Sequence, residues 1–416
     1  MKGYVRVLLK IIYIVIIVAL ILGSIALMGM HFVKRWSSHE PPTKYKETVV
    51  KPLHTTLGFH TSLLGYSFIR ESVKEYNEED TADALVIPGL YGAESIRSGV
   101  KEMCTSMVPQ SVCIAEDYLL IGAYCKTGQH YSVIYVLDKE SYEYIKTVIL
   151  PARYHVGGLA YDRVNKRLWL SCHKDVAQAN SISYYKLLMY DYDRYKAPVT
   201  FDSINNLYTI PRNSFLAYYN SRLYIGYFQK KDESVLQTFE IDNKTGELVK
   251  HNSSRYQQSY GGKLPRNIVT PINVATIGSK VQGITFSKYR MFVTESYGVT
   301  ESRLATFSIL TDDVERQRYT NDEAISVIEL PQKLEQITVD GEDMYSIYES
   351  AAYAYRYYSF PSIDRVIKMK VDDVLRHGVD KDIFEQIIAS EEAASSEASK
   401  DAYEVKFDEI FYKMGH

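Results

Sequence analysis

Residues 155–174 read HVGGLAYDRVNKRLWLSCHK. Two short apolar-alternating runs, GLAY and RLWLS, flank a turn built from Asp162, Asn165 and their charged neighbours. A two-residue period is the mark of a half-buried strand, and turn residues between two such runs mark a hairpin. The same phrase recurs along the chain. SVCIAEDYLLIGAYC occupies 111–125, SFLAYYNSRLYIGYFQK 214–230, VQGITFSKYRMFVTESYG 281–298 and LEQITVDGEDMYSIYESA 334–351.

Further strand-like runs follow each hairpin. SVIYVLD and EYIKTVILP follow the first; YYKLLMYDYD (184–193), read as a third strand, and a run ending in LYTIP follow the second. VLQTFEIDNKTGELV follows the third, RLATFSIL and ISVIELP the fourth, and DRVIKMKV (364–371) the fifth. Units thus begin near residues 111, 155, 214, 281 and 334, a spacing of roughly 45–65 residues that suits propeller blades with loop insertions. One four-stranded sheet cannot bury both its faces, whereas sheets packed radially around an axis can. The predicted fold is therefore all-β, a β-propeller of about five to six four-stranded blades, with a β-sandwich as its rival. Residues 50–108 or the C-terminal end would supply a sixth blade or close the ring.

Ahead of the repeats lies IIYIVIIVALILGSIALMGM, bounded by Ile11 and Met30. It is an uncharged run of the length needed to cross a hydrocarbon core of about 30 Å. A cleaved signal peptide is the alternative, but its apolar core usually spans only ~7–15 residues. Lys2, Arg6 and Lys10 precede the run and Lys34 and Arg35 follow it, so charge alone leaves orientation nearly balanced. The signal-anchor layout favours a cytoplasmic tail and an exported domain. The resulting division is a tail and transmembrane anchor over 1–35, a Pro-rich juxtamembrane stalk over 36–52, the propeller over 53–380, and a helical or spacer segment with a possible closing strand over 381–416.

The phrases HVGGLAYD…RLWLS, VQGITFS…RMFVTESYG and LEQITVDGEDMYSIYESA resemble those of bacterial YncE-type, lactonase-like β-propellers. The resemblance covers roughly residues 109–371 and its motifs mark blade architecture. It implies an exported repeat fold with roles that vary from nucleic-acid binding to lactone hydrolysis to scaffolding, and fold does not transfer function.

The chain carries 37 Tyr against 14 Phe and 2 Trp, and a net charge of −3. Near-neutral charge without a basic stripe argues against a nucleic-acid partner. Nucleophile-elbow, zinc-protease, phosphate-loop and EF-hand signatures are all missing from the sequence, which argues against an enzyme. Cys104, Cys113, Cys125 and Cys172 form no Cys-x-x-Cys pair and have no His at finger spacing, so spacing offers no zinc site. Cys125 and Cys172 end equivalent strands of neighbouring repeats and are a candidate disulfide; two free buried thiols are the other reading.

Inner strands of a propeller line a central channel, so polar residues at their starts, and at the ends of the second strands, converge on one face. The pocket candidates on this reasoning are His155, Gln282, Glu295, Tyr297 and Glu349. The same residues would equally serve to satisfy backbone groups and channel waters. No cofactor motif is present; Glu295 and Glu349 are the pair that would hold Ca2+ or another divalent cation, as a metal-dependent lactonase-like hydrolase requires. The leading expectation is a single-pass cell-membrane protein whose extracytoplasmic propeller binds or scaffolds an envelope protein, glycan or wall polymer. The insertions after Lys174 and Lys250 are the candidate recognition loops.

Overall fold

A computed structural model describes residues 2–77, 85–287, 290–309 and 318–377. The expected C-terminal spacer over 381–416 lies outside them.

Five sheets carry the fold. Blade one runs Met107–Ala115, Tyr118–Cys125, Val133–Asp138 and Tyr144–Ile149. Blade two runs Leu159–Asp162, Arg167–His173, Ala177–Ser183 and Ser203–Leu207. Blade three is Phe215–Tyr219, Arg222–Gly226, Ser234–Asp242 and Asn273–Ile277. Blade four is Val281–Ser287, Arg290–Glu295, Ser302–Ser308 and Ser326–Leu330. Blade five holds Leu334–Asp340, Asp343–Tyr348 and Ile367–Lys370. The strands named pair antiparallel inside every blade, Arg318–Tyr319 adds a parallel edge to blade three, and each inner strand touches that of the next blade, with blade five returning to blade one. The protein is a five-bladed propeller, at the lower end of the five to six blades expected.

Closure comes from the N-terminal side. Residues 85–87 lie antiparallel to 364–366 on the outer edge of blade five: Val86 bridges Arg365, the Ile87 amide donates to the Asp364 carbonyl at 3.0 Å, and the Val366 amide donates to Leu85 at 2.9 Å. Chain segments from opposite ends of the repeat region thus pair at this edge, which covers the open seam that a ring of sheets would otherwise leave.

The core is divided into layers between blades. Trp169 and Leu170 of blade two are fully buried, and Trp169 packs with Leu216, Leu223 and Phe239 of blade three. Phe215 packs with Ile284 and Val293 of blade four. Between blades four and five, Phe292 and Leu330 meet Tyr348 and Met369, and two helices, Thr56–Ser62 and Ser67–Asn77, cover the outside with Phe59, Leu63 and Ile69. Because both faces of each blade are covered, strands such as Met107–Ala115 are buried along their whole length.

One strand assignment is corrected. Residues 184–193 do not form the third strand of blade two; Tyr184–Met189 is a helix capped by Ser183, whose hydroxyl accepts from the Lys186 amide. The third strand is the preceding AQANSIS, part of the stretch after Lys174 expected to be a loop insertion. Its buried residues Ala177 and Ala179 are small, so the space between blades two and three is filled by Trp169 from the neighbouring strand, and apolar alternation does not reveal it. The stretch after Lys250 does hold an insertion, with a short hairpin of Lys250–Asn252 and Asn267–Val269.

The N-terminal helix runs Lys2–Ser37 and is long and apolar enough, over Ile11–Ser37, to cross a membrane. Its end is docked onto the propeller. Trp36 packs against Tyr353 and Tyr357 with ring centroids 5.5 and 5.2 Å away, and the Ser37 hydroxyl donates to the Ala354 carbonyl. The segment read as a stalk continues along the surface: Thr48 pairs with Thr147 at 2.8 Å, and the Val49 amide donates to Gly92.

Candidate functional site

The axis has two unlike ends. At the starts of the inner strands the channel is plugged. Gln336, 2% exposed, accepts from the amides of Val112 and Leu159 through Oε1 and donates to the Leu159 carbonyl through Nε2. One side chain of blade five therefore satisfies backbone groups of blades one and two. Similar stitches link the other blades: Ser111 donates to Val156, Ser171 to Asn213 Oδ1, and Thr294 to Glu335.

Above this plug sits a charged cluster. Glu349 accepts from Gln110 at 3.1 Å and from Lys333 at 3.4 Å. Lys333 lies 4.2 Å over the ring of Tyr355, and Lys126 donates to the hydroxyls of Tyr355 and Tyr124. His155 stacks on Tyr124 at 4.4 Å. Glu335 is 6% exposed, and burial together with the Glu349 carboxylate holds it well above the usual carboxylate range. Burial also raises Glu349, against the opposing pull of Lys333 and Lys126. Residues 351–362 fold over this end, bringing Ala352, Ala354 and Tyr355 onto Val108, and the N-terminal helix joins at the same loop.

The five pocket candidates share this face by topology but do not form one site. His155 and Glu349 belong to the Lys126–Tyr355 network just described. Gln282 donates to the Ser296 carbonyl, Glu295 accepts from Asn321 at 3.1 Å, and Tyr297 faces Lys230 at 4.7 Å and Phe228 at 5.9 Å, on the blade-three side. Burial raises Glu295, countered by Asn321 and then by Arg303 and Lys280. The acidic neighbour of Glu349 is Glu335, and the charged neighbours of Glu295 are Arg303 and Lys280. Among the described residues, the group of three or more potential metal ligands lies elsewhere, at Glu40, Cys104, Cys125 and His130.

Cys125 and Cys172, the candidate pair, are not bonded to each other; all four cysteines are free and buried. Second strands of adjacent blades splay apart with distance from the axis, so equivalent ends do not meet. Cys172 lies beside Asn180 within blade two, while Cys125 faces Thr127 and His130. A hydrogen bond from Cys104 and contacts with His130 and Thr127 hold the Cys125 thiol down at about 3, against burial.

At the opposite end of the axis the inner strands finish around a funnel of about 680 Å³, floored by Gln336. Tyr161, Tyr218, Tyr219 and Phe286 line it with Asn220, Asn243 and Arg163. Tyr219 and Phe286 stack at 4.9 Å with their planes 16° apart. Asn220 and Ser221 both take positive φ, the signature of a two-residue hairpin turn that projects polar side chains at the rim. Asn243 donates to Ser221 at 3.1 Å. Sequence reasoning favoured the other face; the funnel's only linear signal is the tyrosine-rich turn of 218–221.

No family model matches the chain, and no curated protein matches it. Among solved structures the chain is similar to one in a nidogen/laminin complex, at 10% identity, TM-score 0.32, covering 62% of this chain and 84% of that one. It is also similar to a chain of a mitotic checkpoint complex (12% identity, TM-score 0.33, 66% and 79% covered) and to the RRP9 WD40 repeats (8%, 0.33, 64% and 94%).

Proposed function

We propose that this chain is a single-pass membrane protein whose extracytoplasmic propeller acts as a binding or scaffold module, taking an envelope protein, glycan or wall polymer at the funnel. The observation that carries the reading is the funnel's position. The N-terminal helix docks at the plugged end of the axis, so an anchor there leaves the open, aromatic end pointing away from the bilayer. Stacked rings beside amide groups suit a sugar ring or a peptide side chain, which present an apolar face and a hydrogen-bonding edge.

The test is binding of defined wall-polymer oligosaccharides and envelope proteins to the full chain in nanodiscs, with Tyr219→Ala as the comparison. Loss of one stacking ring is worth about 0.5–1.5 kcal/mol, a weakening of roughly 2- to 10-fold. Binding left unchanged by Tyr219→Ala would remove the funnel from the reading. A reporter fused after His416 and found only in the cytoplasm would refute the orientation.

A further inference from the structure

We propose that Glu40, Cys104, Cys125 and His130 form a structural zinc site that clamps the segment following the N-terminal helix onto the first blade. The four residues come from four places. Cys104 ends the strand Val100–Cys104, Cys125 ends the second strand of blade one, His130 lies in the loop after it, and Glu40 follows the helix end at Ser37 by three residues. One ligand atom from each lies within 4.8 Å of all the others. Cys125 Sγ is 3.6 Å from His130 Nδ1, and His130 Nδ1 is 3.6 Å from Glu40 Oε2. Tetrahedral zinc with Zn–S of about 2.3 Å and Zn–N or Zn–O of about 2.0–2.1 Å sets neighbouring ligands roughly 3.3–3.8 Å apart. Two of the six edges already have that length, and the other four lie within 4.8 Å.

The surroundings orient the ligands. His130 Nε2 lies 3.1 Å from Glu102 Oε1, which fixes the ring with Nδ1 facing the other ligands, the carboxylate–histidine arrangement common behind zinc. Glu40 Oε1 accepts from the Thr105 amide at 2.8 Å, leaving Oε2 turned toward the centre. Cys104, Cys125 and His130 are 0, 4 and 1% exposed, and Glu40 stands at the rim with its side chain 17% exposed, so an ion has a way in. Two sulfurs and an imidazole select zinc over calcium or magnesium. Four protein ligands leave no open position, which makes the site structural. Cys104 and Cys125 both coordinate as thiolates, and binding sends the Cys104 thiol proton to solvent.

The full chain, purified in detergent under reducing conditions, is expected to carry one zinc ion, measured by elemental mass spectrometry. After removal of zinc, Co2+ alone should produce tetrahedral ligand-field bands with thiolate charge-transfer absorption. Cys125→Ser should abolish these bands. Glu40→Gln, at the rim, should fold and weaken zinc, and Glu102→Gln should weaken it about 10- to 100-fold. Chelation should speed cleavage of residues 38–46 by protease, and added Zn2+ should restore protection. A Cys104–Cys125 disulfide in the chain as isolated from the membrane, or Zn2+ and Co2+ binding indifferent to both Glu40→Gln and Cys125→Ser, would overturn the proposal.

Discussion

Ring closure hangs on one buried carboxylate, and Asp364→Asn tests it. Asp364 is fully buried. Its Oδ2 accepts from the amides of Leu53 at 2.6 Å and His54 at 2.9 Å, while Oδ1 takes the Arg365 guanidinium at 2.5 Å. Arg365 is 1% exposed, lies 4.6 Å over the Phe59 ring and donates to the His54 carbonyl. Three hydrogen bonds and one ring contact therefore tie the incoming chain to the blade against whose outer edge residues 85–87 pair. Asparagine preserves shape and one acceptor but removes the charge from the Arg365 pair. Breaking a buried pair costs about 3–5 kcal/mol, and the retained acceptor places the substitution near the lower figure. At roughly 2.1 cal/mol/K of unfolding entropy per residue, a propeller spanning 53–380 shifts by about 1.5 °C per kcal/mol, so the unfolding midpoint should fall by about 4–5 °C. Thermal unfolding followed by intrinsic fluorescence reads the midpoint, and hydrogen exchange reads its location. The amides of Leu53, His54, Ile87 and Val366 should lose protection before those of blades two and three. A midpoint within about 1 °C of the parent, with protection at those amides unchanged, would refute the account of closure.

Two further outcomes follow from the axis. Glu335 has its folded pKa raised above the ordinary carboxylate value near 4.5, so the folded chain holds a proton that the unfolded chain has released, and this contribution to stability falls as pH rises above that value. Glu335→Gln should therefore raise the unfolding midpoint at pH 7.5, with the gain shrinking toward pH 4.5; a gain that is constant across thermal scans at both pH values would contradict the burial argument. At Gly157 a Cβ would sit 2.1 Å from the Ser214 carbonyl oxygen of the neighbouring blade. Gly157→Ala should cost about 1–3 kcal/mol in forced movement, and an unaltered midpoint would mean that blades two and three are not packed this closely.

The five hairpins were legible because a strand's alternation and its turn residues are local properties. The phrase at 155–174 needs nothing beyond its own residues to declare two strands, and four repetitions of it declare a ring of sheets. The long apolar helix is equally self-contained. The strand Ala177–Ser183 escaped because its neighbour Trp169 fills the space that its own small side chains leave, a fact about packing between blades and not about the segment.

Other features required the assembled ring. Residues 85–87 pair only with 364–366, roughly 280 positions later, and nothing in either segment names the other. Which end of the axis opens was decided by Gln336 reaching two other blades at one end while the tyrosine-rich turns stand apart at the other. Glu40, Cys104, Cys125 and His130 follow no ligand spacing because they meet through register and docking across separate elements. Periodicity records what each strand does with its two faces; convergence depends on how the ring closes, and only the tertiary structure holds that information.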